Sequence, residues 1–260
     1  HLSEVLGVSP VISQLIAQRG IDSYDQAKTF FRPTWEQLHD PFLMQDMTVA
    51  VDRIVTAIER QEKVMIFGDY DVDGTSAVAL VYSYLQDKIE HLTPYIPDRY
   101  KEGYGISFAG IDTAKAEGIS LIIALDCGIK AIDQVSYAKK SGIDFVICDH
   151  HLPGDQLPEA IAVLDPKRSD RAYPFKELCG CGIGFKLIQA LQQQSQLPEE
   201  ALFPYLDLVA TAIAADIVPI IGENRILTFL GIEQLNRQPR NGFQFFLKAL
   251  KKPVRVTDLV

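Results

Sequence analysis

Short apolar runs alternate with stretches of helical periodicity through the middle of this 260-residue chain. Apolar residues three and four positions apart, as at Val51, Ile54 and Ile58, indicate an amphipathic helix. An uninterrupted run such as Val64–Phe67 indicates a strand that is buried on both faces. Because repeated strand–helix–strand units are typical of parallel sheets, the pattern predicts an α/β fold. We expect an open, mostly parallel β-sheet with helices on both faces.

The predicted elements fall into three parts. Residues 1–60 are predicted to be helical, and Ser9-Pro10 gives an N-cap followed by a first-turn proline. The central strands are predicted at Val64–Phe67, Leu92–Ile96, Leu121–Leu125, Phe145–Cys148 and Ile161–Leu164, and the helices among them at Thr75–Leu85, Ser107–Glu117 and Lys130–Lys140. Four helices are then predicted at residues 182–194, 199–214, 224–236 and 242–251. We expect residues 1–60 to be an extension packed on a main domain of residues 61–260, which ends in this helical segment.

Composition and charge narrow the class of protein. The chain has 25 Lys and Arg against 34 Asp and Glu, which gives a formal net charge of −9. A net acid repels phosphate at long range, which argues against non-specific binding to nucleic acid or anionic membrane, although bound metal ions reverse the charge locally. The four cysteines form no disulfide or zinc pattern, and the sequence has no signal peptide and no apolar run of about 18 residues. We therefore expect a cytoplasmic protein that does not enter the membrane.

Acidic and imidazole side chains directly follow three of the predicted strands. They are Asp69, Asp71 and Asp73 after the first strand, Asp126 after the third, and Asp149, His150 and His151 after the fourth. The carboxyl ends of parallel strands lie along one edge of a sheet, so these side chains should share one crevice. Clustered carboxylates repel each other unless cations lie between them, and oxygen ligands with some imidazole suit magnesium or manganese. The sequence therefore predicts a magnesium or manganese site at this edge of the sheet.

Ordinary structural roles and other motifs are alternatives to this metal site. A single Asp after a strand is usually a helix cap or a turn residue, and we assign Asp98 and Asp165 to that class. The run from Asp69 to Gly74 matches the start of an EF-hand, but Leu80 occupies the position that requires Glu, and a strand precedes the run. The glycine-rich segment near Gly180 follows no clear strand, which argues against a dinucleotide site.

The same acidic and histidine segments resemble the motifs of a known family. Asp69–Thr75, Asp126–Ile129 and Asp149–His151 are similar to the first three motifs of the DHH phosphoesterase superfamily. Further segments resemble one group within that superfamily, the bacterial RecJ exonucleases. These segments are Pro97–Gly105, His150–Gly154, Leu178–Phe185 and Ala214–Pro219. The resemblance covers nearly the whole chain. It implies a manganese- or magnesium-dependent 5′→3′ exonuclease that acts on single-stranded DNA in repair and recombination, with repair or recombination proteins as further partners.

The resemblance also implies roles for individual residues. Two divalent metal ions would be held by Asp69 (as a ligand or as the support of one), Asp71, Asp73, Asp126, His150 and Asp216. The catalytic set would comprise Asp126 as the bridge between the ions, Asp149 orienting an imidazole, His150, and His151 at the scissile phosphate. Only the family pattern points to Asp216, since an acid at a helix end is otherwise a cap. Candidate substrate contacts are Arg99, Tyr104, Lys130 and His151, with Lys101, Lys167, Arg168 and Arg225 as further basic candidates, and a solvated surface charge is the alternative for each basic residue.

Two other functions stay open at this point. One is a DHH-family phosphodiesterase that acts on short oligonucleotides or cyclic dinucleotides. The other is a non-catalytic DHH-like module that binds nucleic acid, although such a module should have lost motif acids or histidines, and none is missing here. Full-length RecJ proteins continue with a DHH-associated domain and an oligonucleotide-binding barrel, for which residues 61–260 leave no room. We therefore expect this chain to carry the catalytic residues but to bind the substrate more weakly than a full-length RecJ protein.

Overall fold

A computed structural model of the protein describes residues 1–170, 173–250 and 252–260. The chain divides into two compact units, His1–Leu38 and His39–Val260. In the first unit, three helices surround a small cluster of apolar side chains: α1 (Leu2–Leu6), α2 (Pro10–Ala17) and α3 (Tyr24–Phe31). The side chain of Ser9 accepts the backbone N–H of Ile12 at the start of α2, as the Ser-Pro sequence predicts.

The second unit is built on a five-stranded parallel sheet. Its strands are β1 (Val64–Gly68), β2 (Leu92–Tyr95), β3 (Leu121–Leu125), β4 (Asp144–Cys148) and β5 (Ala162–Leu164). The strand order is β2-β1-β3-β4-β5, and every neighbouring pair is parallel. The strands β1 and β3 are fully buried, which explains their uninterrupted apolar sequences. The predicted open parallel sheet is confirmed.

Helices cover both faces of this sheet. The α-helices of this unit are α4 (Met47–Glu59), α5 (Val72–Leu85), α6 (Phe108–Glu117), α7 (Ile132–Lys140), α8 (Gly180–Gln194), α9 (Leu206–Ala215), α10 (Gly222–Arg237) and α11 (Asn241–Leu250). On one face, Phe67, Ile122 and Phe145 share a buried cluster with residues of α6 and α7. Alternate strand residues point to the other face, where α4, α5 and α8 contact the strands. No helix in the described ranges combines the length and the apolar character needed to cross a bilayer.

Several helix boundaries differ from the prediction, and two of these differences have a clear physical cause. The expected single helix over residues 199–214 is a 3-10 helix, Glu199–Tyr205, followed by α9, because Pro204 inside the segment lacks the N–H that a continuous α-helix requires. The helix predicted from Thr75 begins at Val72, since the Asp71 carboxylate accepts the backbone N–H of Gly74 and caps it. The division at residue 60 into an extension and a main domain stays a prediction.

Candidate metal centre

The register of the sheet aligns the ends of the strands that carry the candidate acids. Gly68 pairs with Leu125, and Leu125 pairs with Cys148, each being the last residue of its strand. The next residue along each strand is therefore Asp69, Asp126 or Asp149, and all three are buried. This edge of the sheet is where parallel α/β folds bind ligands.

Carboxylates from three segments surround one ring nitrogen of His150. Its Nε2 atom lies 3.2 Å from Asp126 Oδ1, 3.7 Å from Asp216 Oδ2 and 3.9 Å from Asp73 Oδ2. Two groups of possible ligand atoms, each within 4.8 Å of one another, can be formed from these residues: Asp126, His150 and His151, and Asp73, His150 and Asp216. The structure thus brings Asp216, at the end of α9, to acids that precede it by ninety residues or more.

The amino terminus of α8 holds the Asp73 carboxylate. The backbone N–H of Gly180 donates to Asp73 Oδ2 at 2.6 Å, and that of Cys181 donates to Asp73 Oδ1 at 2.8 Å. These N–H groups have no partner within the helix, and the helix dipole favours an anion at this position. Gly180 also lies directly against Asp126. A Cβ atom added to Gly180 would be only 2.5 Å from Asp126 Cβ. The glycine-rich segment therefore supports the acidic cluster, a role that the sequence did not indicate.

Asp69 and Asp71 lie between the end of β1 and the start of α5. Asp69 Oδ1 accepts the backbone N–H of Gly105 at 3.2 Å, while Asp71 is exposed and its Oδ1 caps α5. Burial raises the pKa of Asp69. The structure therefore places one buried and one exposed carboxylate at the end of β1.

Asp149 binds four N–H groups and fixes the neighbouring imidazole. Its oxygens accept the backbone N–H groups of Ile129, His150 and His151 at 2.8–3.1 Å, and the His151 Nδ1 atom lies 2.7 Å from Oδ1. With its Nδ1–H donated to Asp149, His151 accepts the Tyr104 hydroxyl at Nε2, 3.0 Å away. The contact with Asp149 raises the pKa of His151.

The electrostatics of the cluster call for cations. Burial, and next the charge of Asp73, raise the pKa of Asp126, and burial raises that of Asp73. Burial also lowers the pKa of His150 to about 4, which keeps the ring neutral and able to bind a metal. Within the described part of the chain, four buried atoms of this crevice have no hydrogen-bond partner: Asp69 Oδ2, Asp126 Oδ1, His150 Nδ1 and Asp216 Oδ2. Oxygen-rich donors with one neutral imidazole fit manganese or magnesium.

Comparison with known proteins agrees with this arrangement. Residues 63–213 match the family described as the DHH family, N-terminal domain. The chain belongs to the DHH family. The resemblance seen in the sequence is thereby confirmed, and we call the crevice described above the DHH site.

Several RecJ proteins resemble this DHH chain. It is 42% identical to the single-stranded-DNA-specific exonuclease RecJ of Bacillus subtilis (strain 168) over 95% of this chain and 31% of that protein. It is 32% identical to RecJ of Escherichia coli (strain K12) over 87% of this chain and 40% of that protein. The chain thus spans between 31% and 40% of the length of these two relatives.

Solved structures share the fold. An exonuclease RecJ bound to manganese superposes with a TM-score of 0.75 and 26% identity, covering 86% of this chain and 55% of that chain. RecJ in complex with Mn²⁺ from Thermus thermophilus gives a TM-score of 0.82 and 23% identity, covering 99% of this chain and 36% of that chain. The second likeness concerns the fold alone.

The predicted substrate contacts are grouped near His151. Tyr104 and Lys130 line a cavity of about 270 Å³ together with Asp149 and His151. The Arg99 guanidinium carbon lies 5.0 Å from the centre of the Tyr70 ring, and that ring meets Tyr104 edge to face. These side chains therefore form a continuous group that ends at His151.

One further basic candidate is engaged elsewhere. Arg168 is buried and forms ion pairs with Asp46 and Asp170. It also donates to the carbonyl of Val163, so it is unavailable as a phosphate clamp.

Asp165, assigned to a turn, does accept the backbone N–H of Lys167 at 2.7 Å.

Proposed function

We propose that the protein is a metal-dependent exonuclease that hydrolyses the phosphodiester bonds of single-stranded DNA from the 5′ end. The observation that carries this proposal is the convergence of Asp73, Asp126 and Asp216 on one nitrogen of His150. The relatives named above are single-stranded-DNA-specific exonucleases, which supports the substrate. The 5′→3′ polarity and a role in DNA repair and recombination are implied by the family resemblance, and the cytoplasmic location is the expectation from the cysteine pattern.

Six residues would hold two divalent ions, manganese or magnesium: Asp69, Asp71, Asp73, Asp126, His150 and Asp216. Structures of RecJ proteins contain one or the other metal, which supports this assignment. When bound, such ions polarise the phosphate and lower the pKa of a water molecule. The buried oxygens of Asp126 and Asp216 that lack hydrogen-bond partners among the described residues supply the negative charge that the ions require.

The residues around His151 would position the scissile phosphate. Asp149 holds the ring through Nδ1 and favours its charged form. The Nε2–H of that form points away from Asp149, and it would donate to a non-bridging phosphate oxygen once the phosphate replaces the Tyr104 hydroxyl at this atom. The chain's own contribution at this point is thus one oriented, positively charged hydrogen-bond donor.

The two alternatives gain nothing from these observations. None of the relatives described above is named as an enzyme of dinucleotides or cyclic dinucleotides. A non-catalytic module would not need the charge repulsion that the clustered acids impose, and every motif residue is present. The exonuclease therefore remains the function that the site supports best.

Replacement of Asp126 with asparagine tests the proposal. Asn tolerates the left-handed backbone conformation that Asp126 adopts at φ 59°. We expect Asp126→Asn to abolish manganese-dependent release of mononucleotides from a 5′-phosphorylated single strand, and to remove the increase in melting temperature that manganese causes. The metal-free variant should melt higher than the wild type, since asparagine removes an acid whose ionisation the folded chain opposes. Asp52→Asn, an exposed acid on α4, is the control; an Asp126→Asn protein that cleaves like this control would refute the assignment.

A further inference from the structure

A large aliphatic side chain stands next to the acids or histidines of three loops of the DHH site. Val72 lies between Asp71 and Asp73, Leu152 follows His151, and Ile217 follows Asp216. Their exposed fractions are 46%, 70% and 79%. Consecutive Cα atoms are about 3.8 Å apart, so each side chain starts within one residue of a group in the crevice. We call Val72, Leu152 and Ile217 the aliphatic rim.

The backbone of Ile217 is strained. Its φ of 58° lies in the left-handed region, which is a genuine outlier for a β-branched residue. This reversal directly after α9 leaves the Asp216 carboxylate 3.7 Å from His150 Nε2 and the Ile217 side chain in solvent. A glycine would make the same turn without strain. An exposed side chain gains little from burial in the folded chain, so the Ile217 side chain does not itself offset this strain, which is of the kind that clusters at ligand-binding sites.

We propose that the aliphatic rim holds the unstacked nucleobases on either side of the scissile phosphate, and thereby makes the site select single strands. This inference rests on the proposed function. A phosphodiester placed among the site carboxylates necessarily brings its two flanking nucleosides to the edge of the crevice. The rim residues are the exposed side chains adjacent in sequence to Asp73, His151 and Asp216, and the proposal places the flanking nucleosides against them.

The chemistry of the rim fits bases better than phosphates. Aliphatic groups can pack on the flat face of any base and form no hydrogen bond with its edge, so contact is independent of sequence, as it is when bases stack on aromatic side chains. In a duplex those faces are covered by stacking, whereas an unstacked single strand exposes them. The chain carries a net charge of −9, and the buried Arg168 is already paired with two acids. Base contacts supply affinity that long-range electrostatics does not.

The test is a double-mutant cycle, in which one change removes a rim side chain and the other removes bases of the substrate. Cleavage of a 5′-phosphorylated oligothymidine is compared with cleavage of the same strand carrying abasic residues at its first two positions, in manganese, for the wild type, Ile217→Ser and Leu152→Ser. For the wild type we expect KM to rise about tenfold on the abasic strand, which corresponds to about 1.4 kcal/mol. Each variant should raise KM roughly fivefold on the normal strand, leave kcat within about twofold, and match the wild type on the abasic strand.

Two further variants separate the side chain from the backbone. Ile217→Gly should show the same KM defect as Ile217→Ser and melt at least as high as the wild type, because the strain is relieved. Leu197→Ser removes an aliphatic side chain that is 46% exposed and lies beyond the opposite end of α8 from Gly180. This control should behave like the wild type on both strands.

Each contrary result has a distinct meaning. If the Ile217 and Leu152 variants raise KM equally on the normal and abasic strands, the rim does not contact bases and the inference is wrong. If both Ile217 variants melt lower than the wild type, the rim packs against protein, which also overturns it. If the wild type neither binds nor cleaves either strand in manganese, the proposed function fails, and the inference fails with it.

Discussion

Replacing Gly180 with alanine should disable the proposed metal centre although it adds only one methyl group. That methyl carbon would lie 2.5 Å from Asp126 Cβ and 2.6 Å from Asp126 Oδ1. Because Cβ is one bond from the backbone, no side-chain rotation of Asp126 relieves the first contact. The Gly180 backbone is equally constrained, since its N–H donates to Asp73. Either the end of β3 or the start of α8 has to move.

The size of this movement sets the expected effect. Ordinary contact requires a displacement of roughly 1 Å, and a misplacement of that size costs about 100-fold in rate. Overpacking of this kind also costs about 1–3 kcal/mol of stability. We therefore expect Gly180→Ala to fold with a lower melting temperature, to bind manganese weakly, and to cleave a single strand about 100-fold more slowly than the wild type.

Gly182→Ala is the matched control on the same helix. Its added methyl would lie 3.4 Å from Leu178 Cδ2 and 3.6 Å from Cys179 Sγ, which the site can accommodate with little movement. Alanine is favoured over glycine inside a helix by about 0.5–1 kcal/mol, so this variant should be as stable as the wild type or more so. Calorimetric titration with manganese and the cleavage assay compare the two variants. Manganese affinity and rate in Gly180→Ala close to those of Gly182→Ala would show that Gly180 does not set the position of Asp126.

Three further outcomes are expected. Tyr104→Phe keeps the ring but removes the hydroxyl that the phosphate would have to replace at His151, so kcat/KM should stay unchanged or rise by up to about 10-fold at an unchanged melting temperature; a fall in kcat/KM would contradict this. Burial acts to raise the pKa of Glu62, but two side-chain hydrogen bonds outweigh it and lower that pKa, so the stability that this carboxylate contributes is present above pH 4.5 and is lost as the pH falls through the lowered value. Urea titrations should therefore show wild type more stable than Glu62→Gln at about pH 7 and equal to it at about pH 3, and an equal difference at both pH values would refute the assignment. Lys186 is fully buried and lies 3.0 Å from Glu223, so Lys186→Met should cost about 3–5 kcal/mol in urea unfolding by leaving that acid unpaired, and adding Glu223→Gln should restore part of it.

The parallel sheet and the acidic edge could be predicted because their signals are local. A fully buried strand such as Val64–Gly68 has an uninterrupted apolar sequence, and the residue after it must lie at the carboxyl edge. Parallel pairing then aligns Asp69 with Asp126 without any knowledge of tertiary contacts. The cap at Asp71 was also readable, and it would have placed the start of α5 at Val72.

The support of the site could not be predicted because it joins distant parts of the chain. Gly180 and Asp73 are 107 residues apart, and neither residue type signals the other. Asp216 is at the end of an apolar helix, where an acid usually caps or faces solvent, and only the family pattern identified it. The left-handed conformation of Ile217 opposes its own local preference, so a prediction based on local preference necessarily misses it.

Two kinds of acid can be distinguished in the DHH site by the partners of their oxygens. Asp149 accepts four N–H groups, which outweigh its burial and lower its pKa, so the folded chain itself stabilises its charge. Asp73 accepts two N–H groups from the start of α8, but burial outweighs them and raises its pKa, which places Asp73 with the second kind. Asp126 Oδ1 and Asp216 Oδ2 are buried without any such donor in the described residues, so their charge is opposed by burial and compensated only by an added cation. Folding therefore pre-positions the first kind as supports and leaves the second kind as the atoms at which a metal ion would gain most. The acids that destabilise the metal-free protein are, for the same reason, those on which the proposed chemistry depends.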